Sequence, residues 1–177
     1  MPRIAPLLRT AADPKTGATL DAIKAKLGPV PNLFSTLAHS PPALNAYLGL
    51  SEALSKGVLT PRQREIIALA VGQANACQYC VSAHTALGRQ AGLTEEETRS
   101  ARSGRAEDKL EGAVALLAVQ IVQHRGNVTD GELAAAASAG VSEAMTLEVV
   151  AHVAMHIFSN YANNLVRTEV DFPPVAI

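Results

Sequence analysis

The sequence predicts an all-α protein, and three observations carry that expectation. Apolar residues recur at helical spacing between turn and cap signals built from Ser, Thr, Asn, Gly and Pro. No stretch shows a convincing strand pattern. Alanine, the best helix former, is abundant, as in Ala134–Ala137, and small side chains let helices approach closely. At 177 residues and 48% hydrophobic content, the chain can build one domain around a core of its own.

Residues 1–16 read as an N-terminal extended segment and 17–177 as a single compact helical bundle. Leu20, Ile23 and Leu27 form one stripe of a helix over Gly17–Leu27. Gly28-Pro29-Val30-Pro31-Asn32 is a turn, because Pro cannot continue a helix and Gly and Asn tolerate left-handed backbone. Asn32 is the expected N-cap of a short helix to Leu37. Ser40, followed by Pro41 and Pro42, starts a helix to about Lys56 with Leu44, Tyr47, Leu48, Leu50 and Leu54 inward. Gly57 stops it. Thr60 and Pro61 open the next helix, which reaches about Asn75. Another runs from near Cys77 to Gly92. Thr94 to Glu97 is a capping box, and acids suit a helix N-terminus. Helices then cover Lys109–His124 and, from a cap at Thr129, extend to about Ala139. Ser142–Thr168 reads as one long helix, closed by Asp171-Phe172-Pro173-Pro174.

The net charge of −1 and the lack of any long basic run argue against nucleic-acid binding. The N-terminus shows no charged region followed by an apolar one, and the longest apolar stretch, around Ala113–Val122, is too short to span a bilayer. The expectation is a soluble cytoplasmic protein without a membrane partner. In a reducing compartment a lone C-x-x-C is rarely a structural staple; it is more often redox-active or metal-binding.

That motif is Cys77-Gln78-Tyr79-Cys80, and it holds the only two cysteines. Ala74-Asn75-Ala76 breaks the preceding helix, so Cys77 falls at a helix start and Cys80 in its first turn. Free amides and the positive dipole end favour thiolate there. Cys77, Cys80 and His84 share one face at i, i+3 and i+7. His84, one turn past Cys80, can take its proton. Glu65 lies on the preceding helix. If the two helices form an antiparallel hairpin, its carboxylate returns to orient His84, which is the logic of an activated nucleophile with a base and an orienter. One thiolate would then reduce a peroxide to leave a sulfenic acid, and its neighbour would close the disulfide, which an outside reductant resets.

Other readings stand beside this one. Two buried thiols can be inert core groups. Cys77, Cys80 and His84, with His152 or His156, supply the donors of a zinc-stabilised structural protein. His152 and His156, one turn apart on the last helix, are the pattern of packed core or interface residues. His124 sits at a helix C-terminus and suits the dipole there. Asn160, Asn163 and Asn164 are candidates for bonds across a subunit interface.

The pattern Glu65-x11-Cys77-x-x-Cys80-x-x-x-His84, preceded by Leu59-Thr60-Pro61-Arg62-Gln63-Arg64, resembles the alkylhydroperoxidase AhpD-like and carboxymuconolactone decarboxylase superfamily. The core of the likeness spans about 51–92. The flanks, Gly28-Pro29-Val30-Pro31-Asn32-Leu33-Phe34, Asn160-Tyr161-x-Asn163 and Thr168–Pro173, resemble its peroxidase-related branch. The resemblance implies an all-α fold, a homo-oligomer (trimer or hexamer), and thiol peroxidase or disulfide-reductase chemistry with no haem, flavin or metal cofactor. It implies that Cys80 attacks the peroxide, Cys77 resolves, and Glu65 and His84 relay protons. The substrate would be a hydroperoxide, the reductant a thiol or protein, and the role antioxidant defence. A redox sensor, or a disulfide reductase acting on a protein partner, is the alternative. Many AhpD sequences carry a second histidine between the cysteines; Tyr79 stands there, and a phenol is a poor base near neutral pH. The departure points to a relative of AhpD. The superfamily's decarboxylases lack the cysteine pair in this form, which disfavours lactone decarboxylation.

Overall fold

The computed structural model describes Met1–Ile177 and contains nine α-helices and no strand. They are α1 (Pro14–Leu27), α2 (Asn32–Leu37), α3 (Pro41–Leu54), α4 (Pro61–Ala74), α5 (Gln78–Gln90), α6 (Glu95–Arg102), α7 (Lys109–His124), α8 (Asp130–Ser138) and α9 (Glu143–Val166). A short 3₁₀ turn at Arg9–Ala11 precedes them. No single helix is long and apolar enough to cross a membrane.

Most boundaries follow from local chemistry. Thr60, Thr94 and Thr129 each close a capping box with Gln63, Glu97 and Glu132, satisfying two free amides at the starts of α4, α6 and α8. Pro61 and Pro41 sit in first turns, where no N–H is missed. Four expectations need correction. The first helix begins at Pro14 because Asp13 caps it through the amides of Lys15 and Thr16. Asn32 is not a cap; its side chain donates to Glu169 O at 3.0 Å, and Pro31 holds the cap position. Ser40 occupies its cap position without a side-chain bond. Leu50 faces solvent, because the inward stripe of α3 is set by Leu44, Tyr47 and Leu54.

Helix α4 is the axis of the molecule and packs against α5, α6, α7 and α9. One of its faces, through Ile67 and Val71, joins Val114, Leu117, Val149 and Val153 in a core between α4, α7 and α9. Another, through Ile66 and Leu69, meets Leu93, Ala101 and Ala115. The second large core lies beyond α5 and holds Leu20, Ile23, Leu33, Leu44, Tyr47 and Met155 together with both cysteines. Burying a side chain of this size contributes about 1.5–3 kcal/mol.

Two links fix the frame around α4. The Glu148 carboxylate accepts from the amides of Val58 at 2.8 Å and Leu59 at 3.1 Å, tying the loop before α4 to α9. A Cβ added at Gly57 would strike that carboxylate, which would have to shift from its present position. Arg62 donates to Glu97 at 2.8 Å and Glu111 at 3.1 Å, joining α4 to α6 and α7. The C-terminal segment returns over α5: Val175 N donates to Ser82 Oγ at 3.2 Å, and Asn32 N donates to the Asp171 carboxylate at 2.7 Å.

Candidate functional site

The hinge between α4 and α5 places the cysteines. Helix α4 ends in a double closure: Ala76 N donates to Gln73 O at 3.0 Å and Cys77 N to Gly72 O at 2.9 Å. Ala76 adopts the left-handed region at φ 48°. Cys77 thereby becomes the N-cap of α5, and its sulfur accepts the Cys80 amide at 3.2 Å. The two cysteines are joined by a disulfide, with Cα atoms 5.3 Å apart. Gly72 lies under this turn, where a Cβ would touch Cys80 Cβ at 3.5 Å.

The turn makes α4 and α5 an antiparallel hairpin and brings Glu65 back to His84. His84 Nδ1 lies 2.8 Å from Glu65 Oε2. A carboxylate has no proton to give, so Nδ1 carries the hydrogen and Nε2 remains as the nitrogen that can take one. Glu65 thus meets His84 across the hairpin, and Cys77 and Cys80 lie at its turn. Cys80 and His84 line the same cavity, while Cys77, fully buried, does not.

That cavity has a volume of about 430 Å³. Leu33, Phe34, Tyr47, Leu87 and Phe172 make its walls largely apolar, with Lys26 and Gln90 among its polar groups. Cys80, His84, Ser159 and Asn163 also line it. Phe34 and Tyr47 pack at 5.7 Å between ring centroids, and Phe172 meets Tyr79 edge-on at 5.8 Å.

The two cavity tyrosines are not bases. Burial drives Tyr79 upward, and the Asp171 charge adds to it; its oxygen accepts the Leu33 amide at 3.3 Å. Burial likewise pushes Tyr47 up to about 12, with the Glu65 charge acting in the same direction. Tyr79 therefore anchors α2 rather than replacing a relay histidine.

His152 and His156 are core residues, 2% and 3% exposed. His156 stands edge-on to His84 with ring centroids 5.0 Å apart, and stacks on His152 at 6.1 Å. Burial lowers His152 to about 4, with the Arg64 charge adding, and lowers His156 well below the ordinary imidazole range. No three His, Cys, Asp or Glu side chains are gathered as a metal-ligand set. His124 ends α7 with Nδ1 3.6 Å from Glu132.

The three asparagines that were candidates for an interface each make a bond within the chain. Asn160 Oδ1 accepts from Asn75 at 2.9 Å, and Asn164 donates to Asn75 O at 2.9 Å, clamping α9 to the hinge. Asn163 Nδ2 donates to Cys80 Sγ at 3.3 Å. Tyr47, Ser159 and Asn163 thus join the site. The Asn160-Tyr161-x-Asn163 spacing hinted at two inward asparagines but not at their target.

The profile of the carboxymuconolactone decarboxylase family matches residues 41–123, from α3 to the last turn of α7. No curated protein matches the chain by sequence. Among solved structures, the chain is similar to the alkylhydroperoxidase AhpD core of an uncharacterized peroxidase-related protein from Ralstonia eutropha JMP134. The TM-score is 0.87 at 25% identity, over 96% of this chain and 92% of that one. It shares its fold with a peroxidase-related protein from Silicibacter sp. TM1040, at TM-score 0.79 and 21% identity over 98% and 93% of the two chains. It also shares its fold with the debrominase Bmp8 in complex with 2,3,4-tribromopyrrole, at TM-score 0.78 and 21% identity over 95% and 91%.

Proposed function

We propose that the chain, whose residues 41–123 match the carboxymuconolactone decarboxylase family and whose fold is similar to an AhpD core, is a thiol-dependent hydroperoxide reductase. The observation that carries the reading is that Cys80 lines one cavity with His84, whose Nδ1 is paired with Glu65 across the α4–α5 hairpin. The Cys80 thiolate attacks the terminal oxygen of a hydroperoxide. The O–O bond breaks, the sulfur becomes a sulfenic acid, and the alkoxide takes the proton that His84 Nε2 had accepted from the Cys80 thiol. Cys77 then attacks the Cys80 sulfur, the S–S bond forms, and water leaves. A thiol reductant reopens the disulfide by exchange. Glu65 fixes the His84 ring and balances its charge when it is protonated.

Burial supports this reading over disulfide reduction on a protein partner. Cys77 is 0% and Cys80 2% exposed, so a small molecule entering the cavity reaches the sulfur where a disulfide on a folded partner does not. Largely apolar walls suit an organic hydroperoxide over hydrogen peroxide. In the cytoplasm, where thiol reductants maintain the pair, this would be an antioxidant activity. We infer that copies of the chain associate through the apolar outer face of α9, as a trimer or hexamer.

Steady-state consumption of cumene hydroperoxide with excess dithiothreitol tests the scheme. The wild type turns over repeatedly. Cys80→Ser abolishes turnover, and Cys77→Ser stops with a dimedone-reactive sulfenic acid on Cys80. Turnover surviving in both variants would refute the mechanism, and a wild type that halts after one equivalent would make the protein a sensor.

A further inference from the structure

Resting on Cys80 as the attacking sulfur, we infer that Asn163 is the residue that holds Cys80 as a thiolate, in place of a second histidine within the motif. The helix N-terminus does not do this for Cys80, because the first-turn amide that meets a cysteine sulfur goes to Cys77: the Cys80 N–H points at Cys77 Sγ, at 3.2 Å. The hydrogen bond that Cys80 Sγ accepts comes from Asn163 Nδ2 at 3.3 Å. Tyr79, between the cysteines, accepts the Leu33 amide and packs on Phe172. The two sulfurs therefore rely on different groups, Cys77 on backbone and Cys80 on one side chain of α9.

A disulfide or thiol sulfur is a weak acceptor and a thiolate a strong one. The Asn163 bond therefore strengthens when Cys80 is reduced and ionised, and it shifts the thiol towards the reactive form. A second observation speaks against a packing role. Asn163 is 3% exposed, lines the cavity, and its Oδ1 has no hydrogen-bond partner within the protein. A buried amide with one half unpaired is costly, and an apolar side chain of similar size would fill the space without that penalty.

The test is alkylation of Cys80 by iodoacetamide in a Cys77→Ser background, followed by mass spectrometry from pH 5 to pH 10. No hydroperoxide is needed, so the outcome is independent of whether the protein turns over peroxide. Asn163→Ala is expected to slow alkylation at pH 7 by about tenfold, the scale of one bond to a charged acceptor. The rate at the alkaline plateau, where the thiol is already ionised, stays within about twofold if access alone is unchanged. Asn163→Leu, which is close in size but has no donor, slows the reaction at pH 7 by a similar factor. If Asn163 only fills space, the leucine variant reacts like the wild type. Equal rates at pH 7 in the wild type and the leucine variant would overturn the inference. If the alanine variant does not fold, the near-isosteric leucine variant decides alone. Peroxide turnover that survives Cys80→Ser would remove the proposed reaction while leaving the alkylation result intact.

Discussion

At the scale of single residues, the buried histidines tie stability to pH. His152 is lowered by burial to about 4, whereas an imidazole in the unfolded chain titrates near 6.5. Above that value both states are neutral and this group contributes no pH dependence. As pH falls through about 6.5, the unfolded chain binds a proton that the folded chain refuses, and stability drops until about pH 4. From pH 7 to pH 5 the loss is about 2 kcal/mol for this residue. His156 acts in the same direction. Urea denaturation at the two pH values should therefore show His152→Leu losing about 2 kcal/mol less than the wild type; an identical loss would mean that His152 is protonated in the native state. The residues differ in how far their placement can be read from sequence. Glu65 and His84 were legible because each lies at a fixed step from the cysteines along two adjacent helices. Asn163 was not, because 83 residues separate it from Cys80 and helical period gives a face without naming what that face meets. Tyr79 was legible as a poor base, but not as the anchor of α2.

At the scale of elements, the cap chemistry was the most readable layer. Thr94 and Thr129 closed their boxes as their spacing required, and α7 runs between the residues anticipated. Asn32 shows the limit: its side chain can cap locally, yet the returning C-terminal segment offers Glu169 O and takes it. The α4–α5 hinge was foreseen as a break at Ala74-Asn75-Ala76, while the left-handed Ala76 at φ 48° follows only from the double closure of α4. A side chain in that region costs about 1–2 kcal/mol, and glycine removes the cost at some expense in chain entropy. Ala76→Gly should therefore raise stability by about 0.5–1 kcal/mol, read from the urea midpoint. A loss of stability of that size would show that the turn gains nothing from glycine. The hinge matters to the site because it fixes both the Cys77 cap and the return of Glu65 to His84.

At the scale of the whole molecule, α9 separates two environments. Its inner face carries Val149, Val153, His152, His156 and Asn163, all buried. Its outer face carries Leu147, Val150, Ala154, Phe158, Tyr161 and Leu165, all exposed, at steps of three and four residues. A stripe of that length left to water is unusual for a chain that acts alone. Light scattering coupled to gel filtration should find an assembly of more than one copy, and the pair Tyr161→Glu with Leu165→Glu should shift it towards the monomer. A monomeric wild type at micromolar concentration would sink that proposal. The all-helical class and the core motif were visible in composition, caps and spacing; the outer stripe of α9 was visible only once burial told the two faces apart. The scarcity of aromatic groups has a practical outcome. The chain has no tryptophan and three tyrosines, and two of them, Tyr47 and Tyr79, face the cavity that holds Cys80. Disulfides quench nearby phenol emission, so the intrinsic fluorescence is expected to brighten as the pair opens, which would let its reduction be followed in real time without a dye.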